Sequence, residues 1–258
     1  MKKFLLGTNW KMNKSTVQGM DYTKSLMNVI QNHSNFDFFI IPPAVQLWGI
    51  KHAIDEAGSP LMLGAQNVHY EDCGQFTGEL SPTQLKEIGL TILEIGHSER
   101  RQYFNETDYT VNLKTLAGLR HGLHPLICIG DSLQEMQYGV SSDVLSRQLK
   151  IALHGVSSDD IGKFWVAYEP CWAIGVDGIP AEPQLVSKLH DFLRKVLVDM
   201  FGAKGNDIPL LFGGSVNLGN ALDYAKCKNV DGLFIGRAAW ETDSFEAIMN
   251  DLEQGGIV

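Results

Sequence analysis

Along this chain, short apolar runs alternate with longer stretches in which apolar residues recur every three or four positions. Runs of the first kind have the length of buried strands, and stretches of the second kind read as helices with one buried face. The strand-length runs fall at 4–9, 36–41, 61–66, 91–96, 125–130, 164–169, 209–213 and 231–236, eight in all. Between them, Ser15-Thr16-Val17-Gln18 has the form of a capping box opening a helix, and Gly122 after His121 suits a helix C-terminus. Further helical stretches run through 105–121, 132–154, 183–201 and 238–253, with no linker or low-complexity tract between them. One domain over 1–258 suffices.

Alternating strands and helices build a parallel sheet, either closed into a barrel or open and doubly wound. The polar residues favour closure into a (β/α)8 barrel. Asn9 and Lys11 follow the first run, Gln66-Asn67 the third, His97 the fourth, Asp131 the fifth, Glu169 the sixth, Ser215 the seventh and Arg237 the eighth. A closed barrel brings all of these to its C-terminal rim, where barrel enzymes carry out chemistry.

Composition narrows the partners. A net charge of −9 argues against a nucleic-acid surface. The opening Met1 to Leu6 imitates a signal peptide, but the apolar run stops at Gly7-Thr8-Asn9, short of the ~7–15 residues required. No run approaches the ~18 apolar residues of a membrane span, so no membrane is expected and the cytoplasm is the expected location. Cys73, Cys128, Cys171 and Cys227 are widely spaced, which suggests buried hydrophobes in a reducing compartment rather than zinc ligands or disulfides.

The most informative stretch is Ala167 to Gly175. It ends a strand on a carboxylate, Glu169, and starts a loop at Pro170, so it reads as a base beside a hinged lid. Gly213-Gly214-Ser215 and Gly236 suit backbone N–H groups converging on a phosphate. Glu169, His97 and Lys11 then have complementary roles: a proton acceptor, an imidazole to polarise a carbonyl, and an ammonium to stabilise an oxyanion. Together they describe enolisation. Taken singly, His97 reads as a satisfied core histidine and Lys11 as a solvated lysine; their shared rim reverses both readings. Glu99 and Asp131 read as supporting carboxylates, one holding Lys11 and the other positioning the lid. The remaining histidines have no assigned role.

With these residues assembled, the chain resembles the triosephosphate isomerase family. The matching segments are Asn9-Trp10-Lys11-Met12-Asn13, Gly64-Ala65-Gln66-Asn67, Phe76-Thr77-Gly78-Glu79, Ile95 to Arg101, Cys128-Ile129-Gly130, Tyr168 to Gly175 and Gly213-Gly214-Ser215-Val216. The resemblance implies a TIM barrel with Glu169 as base, His97 as electrophile and proton shuttle, and Lys11 with Asn9 on the substrate oxygens. It places the phosphate at Gly175, Ser215 and Gly236, and implies no metal and no organic cofactor. It also implies a homodimer in which the Phe76-Thr77-Gly78 loop enters the neighbouring active-site region, with Thr77 near the partner's lysine.

Four departures bear on substrate. The lid reads Val176-Asp177-Gly178-Ile179-Pro180-Ala181, about one residue longer than the family's usual Thr-Gly-Lys-Thr-Ala. Phe212 replaces a tyrosine whose hydroxyl latches the lid, Asp131 replaces a glutamate, and Arg237 replaces a glycine, adding positive charge beside the phosphate. Intact acid-base residues with a remodelled rim favour triosephosphate isomerase activity, interconverting glyceraldehyde 3-phosphate and dihydroxyacetone phosphate. The alternative is an isomerase of a four-carbon ketose phosphate such as an erythrulose phosphate. A non-catalytic sugar-phosphate-binding barrel would have no need of Glu169, His97 and Lys11, and a Schiff-base aldolase would want a lysine inside a strand near the rim, where none is evident.

Overall fold

The computed structural model describes residues 3–175 and 178–257. Eight parallel strands pair in chain order and β1 pairs with β8, closing the sheet. They are β1 (Phe4–Asn9), β2 (Phe36–Ile41), β3 (Met62–Ala65), β4 (Ile92–Ile95), β5 (His124–Ile129), β6 (Trp165–Tyr168), β7 (Leu210–Gly214) and β8 (Gly232–Ile235). The helices are α1 (Thr16–Val29), α2 (Leu47–Glu56), α3 (Pro82–Ile88), α4 (Ser98–Tyr103), α5 (Asp108–Arg120), α6 (Leu133–Gln137), α7 (Ser141–Ala152), α8 (Pro183–Phe201), α9 (Ala221–Ala225) and α10 (Thr242–Gln254).

Side chains alternate across each strand, so the apolar runs supply two cores at once. Phe36, Phe38 and Ile40 of β2 join the large layer beneath the helices, while Phe39 and Ile41 join a smaller cluster with Leu5, Ile92, Leu126, Cys128, Trp165, Leu211 and Phe234. That second cluster fills the barrel interior. Phe39 lies among its rings, its centroid 5.5 Å from those of both Trp165 and Phe234. Gly7 makes room for it: a Cβ there would sit 2.1 Å from the Phe39 ring.

The stretch 132–154 divides into α6 and α7, because Gly139 turns into a left-handed conformation at φ 72° between them. Ser15 and Gln18 form the capping box at α1, with Ser15 Oγ accepting from the Gln18 N–H and Gln18 Oε1 from the Ser15 N–H. Among the described residues no helix is long and apolar enough to cross a membrane.

Gly7→Ala should cost about 1–3 kcal/mol, because Phe39 must leave its rotamer in a filled interior. Urea denaturation of the variant is expected to show a lower midpoint with an unchanged slope; an unchanged midpoint would mean that the interior can absorb the methyl group.

Candidate active site

The strand ends bring Asn9, Lys11, His97, Glu169 and Gly236 around one cavity of about 40 Å³, which Phe234 also lines. A cleft of about 780 Å³ opens above it, bordered by Glu99, Gly175, Ser215, Arg237 and Trp240, with Lys11, Ile174, Gly214 and Gly236 shared between the two. The shape is a narrow end beneath a vestibule of the size that holds small ligands.

Glu169 occupies the narrow end and is only 5% exposed. Gly213 lies beside it, where a Cβ would approach Glu169 Oε1 to 2.9 Å, so the strand leaves space for the carboxyl group. Burial pushes its pKa from 4.5 up to about 7; a hydrogen bond from the Cys128 thiol and the charge of Lys11 pull the other way, while Glu99 raises it. A carboxylate so tuned is a base matched to neutral pH. The same shift has a stability consequence. Between about pH 4.5 and 7 the folded chain holds a proton that the unfolded chain releases, so stability falls as pH rises through that window.

His97 caps α4: its Nδ1 accepts the backbone N–H of Glu99 at 3.2 Å. That bond leaves the proton on Nε2, which lies 3.8 Å from Glu169 Oε2. Burial, then Lys11, then Arg100, depress the histidine pKa to about 3. The ring is therefore neutral at working pH and can donate a hydrogen bond without carrying charge.

Lys11 has a left-handed backbone, φ 54°, held by two side chains. Asn9 Oδ1 accepts the Lys11 N–H at 2.5 Å, and Gln66 Nε2 donates to Asn9 Oδ1 and to the Lys11 carbonyl, each at 3.0 Å. Lys11 Nζ pairs with Glu99 Oε1 at 2.5 Å. Gln66 is thus a clasp for the lysine, a role that its position at a strand end did not reveal in the sequence. Cys128 is a buried hydrophobe, as its spacing suggested, with its thiol also turned to Glu169, whereas Cys73 and Cys171, read the same way, are exposed.

On the outer rim, Ser215 Oγ donates to the carbonyls of Ala173 at 2.8 Å and Gly178 at 3.3 Å. Arg237 reaches the same segment, its Nη2 donating to the Gly175 carbonyl at 2.8 Å. Val176 and Asp177, where the lid differs most from the family pattern, lie outside the described residues. Buried Asp131 accepts from the hydroxyls of Ser141 at 2.6 Å and Tyr168 at 3.1 Å, and its carbonyl accepts the Cys171 N–H at 2.9 Å. It therefore grips both ends of the Glu169-Pro170 corner. Phe212 packs outside the barrel with its ring centroid 4.5 Å from that of Tyr224, and the Tyr224 hydroxyl donates to the Ala181 carbonyl at 2.7 Å. A tyrosine hydroxyl thus meets the far end of the lid, from α9 rather than from β7.

A closed parallel barrel with a buried glutamate, a neutral histidine and a lysine converging under a loop-lined cleft defines an isomerase of the sugar-phosphate class. The chain matches the triosephosphate isomerase family model over residues 4–252, and it belongs to that family. It is 42% identical to an L-erythrulose-1-phosphate isomerase of Rhizobium etli over 246 residues, covering 95% of this chain and 90% of that one. It is 38% identical to a triosephosphate isomerase of Caldanaerobacter subterraneus subsp. tengcongensis over 251 residues, 97% of this chain and all of the relative. The crystal structure of triosephosphate isomerase from Bartonella henselae superposes with a TM-score of 0.85 at 32% identity, covering 98% of this chain and 99% of that one.

If Glu169 is the base, kcat/KM should fall about tenfold per pH unit below roughly pH 7, with no separate loss from His97 until far more acidic conditions. Glu169→Gln should lower kcat by about 10²–10⁴-fold. It should also raise the Tm at pH 8, because it removes a carboxylate whose ionisation the folded state disfavours. Near-normal turnover in that variant would eliminate the base; a lower Tm would contradict the burial argument.

Proposed function

We propose that this protein isomerises a four-carbon ketose phosphate, an erythrulose 1-phosphate, through an enediolate. What carries this reading is the likeness to L-erythrulose-1-phosphate isomerases along nearly the whole chain, combined with a rim that departs from the triosephosphate pattern at Arg237, Phe212 and the lid. The residues on their own placed the triose first; these relatives support the four-carbon alternative better.

The chemistry follows from the substrate's connectivity. With phosphate on C1 and the ketone at C2, Glu169 removes the proton on C3 while the His97 Nε2–H and Lys11 Nζ stabilise the oxygen at C2. The electron pair of the broken C–H bond forms the C2–C3 double bond of the enediolate. Protonation at C2 by the Glu169 carboxylic acid, with His97 carrying the C3 hydroxyl proton to the oxygen at C2, leaves a hydroxyl at C2 and the ketone at C3. The product is an isomeric ketose phosphate, whereas a triose treated in the same way yields an aldose.

The four-carbon substrate carries a hydroxymethyl group on the carbon that loses its proton, and the vestibule has the volume to accept it. Backbone around Gly175, Ser215 and Gly236 holds the phosphate in this reading. Arg237 adds a positive charge there while tying down Gly175.

A homodimer belongs to the same proposal. The Phe76 loop is built to protrude in a fixed shape: His69 stacks on Phe76 with centroids 4.1 Å apart, and the Ser81 hydroxyl donates to the Asp72 carbonyl at 2.6 Å. Met12, next to Lys11, is 95% exposed. Covering such groups with a second copy would remove apolar surface from water.

Comparison of kcat/KM for L-erythrulose 1-phosphate and glyceraldehyde 3-phosphate tests the substrate. The tetrose is expected to win by roughly 10- to 200-fold, the range that one small substituent commands; preference for the triose would overturn the reading. Sedimentation equilibrium should give twice the chain mass, and a monomer at micromolar concentration would remove the dimer.

A further inference from the structure

One carboxyl group inside the barrel takes no part in the chemistry above. Glu94 sits in the middle of β4, in register with Leu126 of β5, and is only 1% exposed. Alternation along β4 puts it on the same face as Ile92, among the apolar groups that fill the interior. Its Oε2 accepts from Asn9 Nδ2 at 2.6 Å, and its Oε1 has no hydrogen-bond partner among the described residues. Asn9 in turn presents Oδ1 to the Lys11 N–H and to Gln66. Glu94 is therefore the buried end of a chain of contacts that orients Asn9 and, through it, the left-handed backbone carrying Lys11.

We propose that Glu94 is a positioning residue for the isomerase reaction, a carboxylic acid that keeps its proton while Glu169 works and fixes Asn9 and Lys11 from below. This rests on the isomerase reading given above. The groups that act on Glu94 are Glu169 after β6, Lys11 after β1, Glu99 on α4 and Cys128 on β5. The one cation among them, Lys11, is already paired with Glu99. Burial pushes the Glu94 carboxyl well above the usual range and the Glu169 charge pushes it further; the Asn9 hydrogen bond and Lys11 oppose them. Two neighbouring carboxyls in a dry interior do not both ionise readily, and the proton resides on the one that does not face the substrate. Neutral Glu94 leaves Glu169 as the single anion at the narrow end of the site.

Glu94→Gln and Glu94→Leu in the full-length chain test this, with kcat/KM measured from pH 5 to 10. Glutamine preserves a neutral acceptor for Asn9, so turnover within about threefold of wild type and an unmoved acid limb are expected. Leucine leaves the Asn9 amide unheld, and kcat should fall about 10- to 100-fold. An acid limb displaced downward by a unit or more in Glu94→Gln would mean that the wild-type residue is an anion; wild-type kcat in Glu94→Leu would mean that it positions nothing. Either result overturns the proposal. Infrared spectroscopy provides a readout independent of turnover. A protonated-carboxyl C=O stretch at pH 8 should disappear in Glu94→Gln, and its absence from the wild type would refute the neutral acid even if the Leu variant fails to fold. Wild-type protein inactive on both sugar phosphates would instead defeat the substrate reading, and the infrared result would still decide the state of Glu94.

Discussion

A parallel sheet whose first strand pairs with its last has no edge, and that closure is the constraint on which the rest of this molecule depends. Once β1 and β8 are hydrogen-bonded, every strand must send alternate side chains into an interior that only a few large groups can fill. Phe39, Trp165 and Phe234 fill it, with Gly7 yielding space where bulk would collide. Closure also fixes where the strands end, so residues as far apart in sequence as Asn9 and Gly236 line one cavity.

The interior that stabilises the barrel also sets the chemistry at its mouth. Desolvation acts in opposite directions on acids and bases, and here burial raises Glu169 to about 7 and lowers His97 to about 3. In the proposed reaction the first serves as the base near neutrality and the second as an uncharged donor. Lys11, which lines both the narrow cavity and the cleft above it, pairs with Glu99. The division of roles thus follows depth. Each group gets the protonation state that its burial and partners dictate, and the Asn9–Gln66 clasp holds the geometry in which the three can act together.

Above that arrangement of charges, the rim is tied together by contacts to backbone carbonyls. Ser215, Arg237 and Tyr224 each donate to the segment that follows Glu169, from three different elements. Carbonyl acceptors constrain a loop's path without dictating its side chains, so the lid sequence can change while its anchoring persists. In such a design the reaction type belongs to the barrel and the choice of substrate to the loops.

The sequence by itself determined the order and period of the elements. Eight apolar runs separated by amphipathic stretches are a local property, and the polar residues at their ends mark the rim. Its boundaries were less sharp: Thr91 and Gly96 fall outside β4, and 132–154 breaks at Gly139, because hydrogen-bond partners on neighbouring strands and a left-handed glycine decide where an element stops. Glu94 carried no assignment from the sequence, Gln66 only a place on the rim, and Cys128 that of a small buried hydrophobe. Their roles come from Asn9, Lys11 and Glu169, which lie 85, 55 and 41 positions away respectively. What the tertiary structure alone decided was depth and proximity, since burial sets the pKa values and only the closed barrel brings those partners within hydrogen-bonding distance.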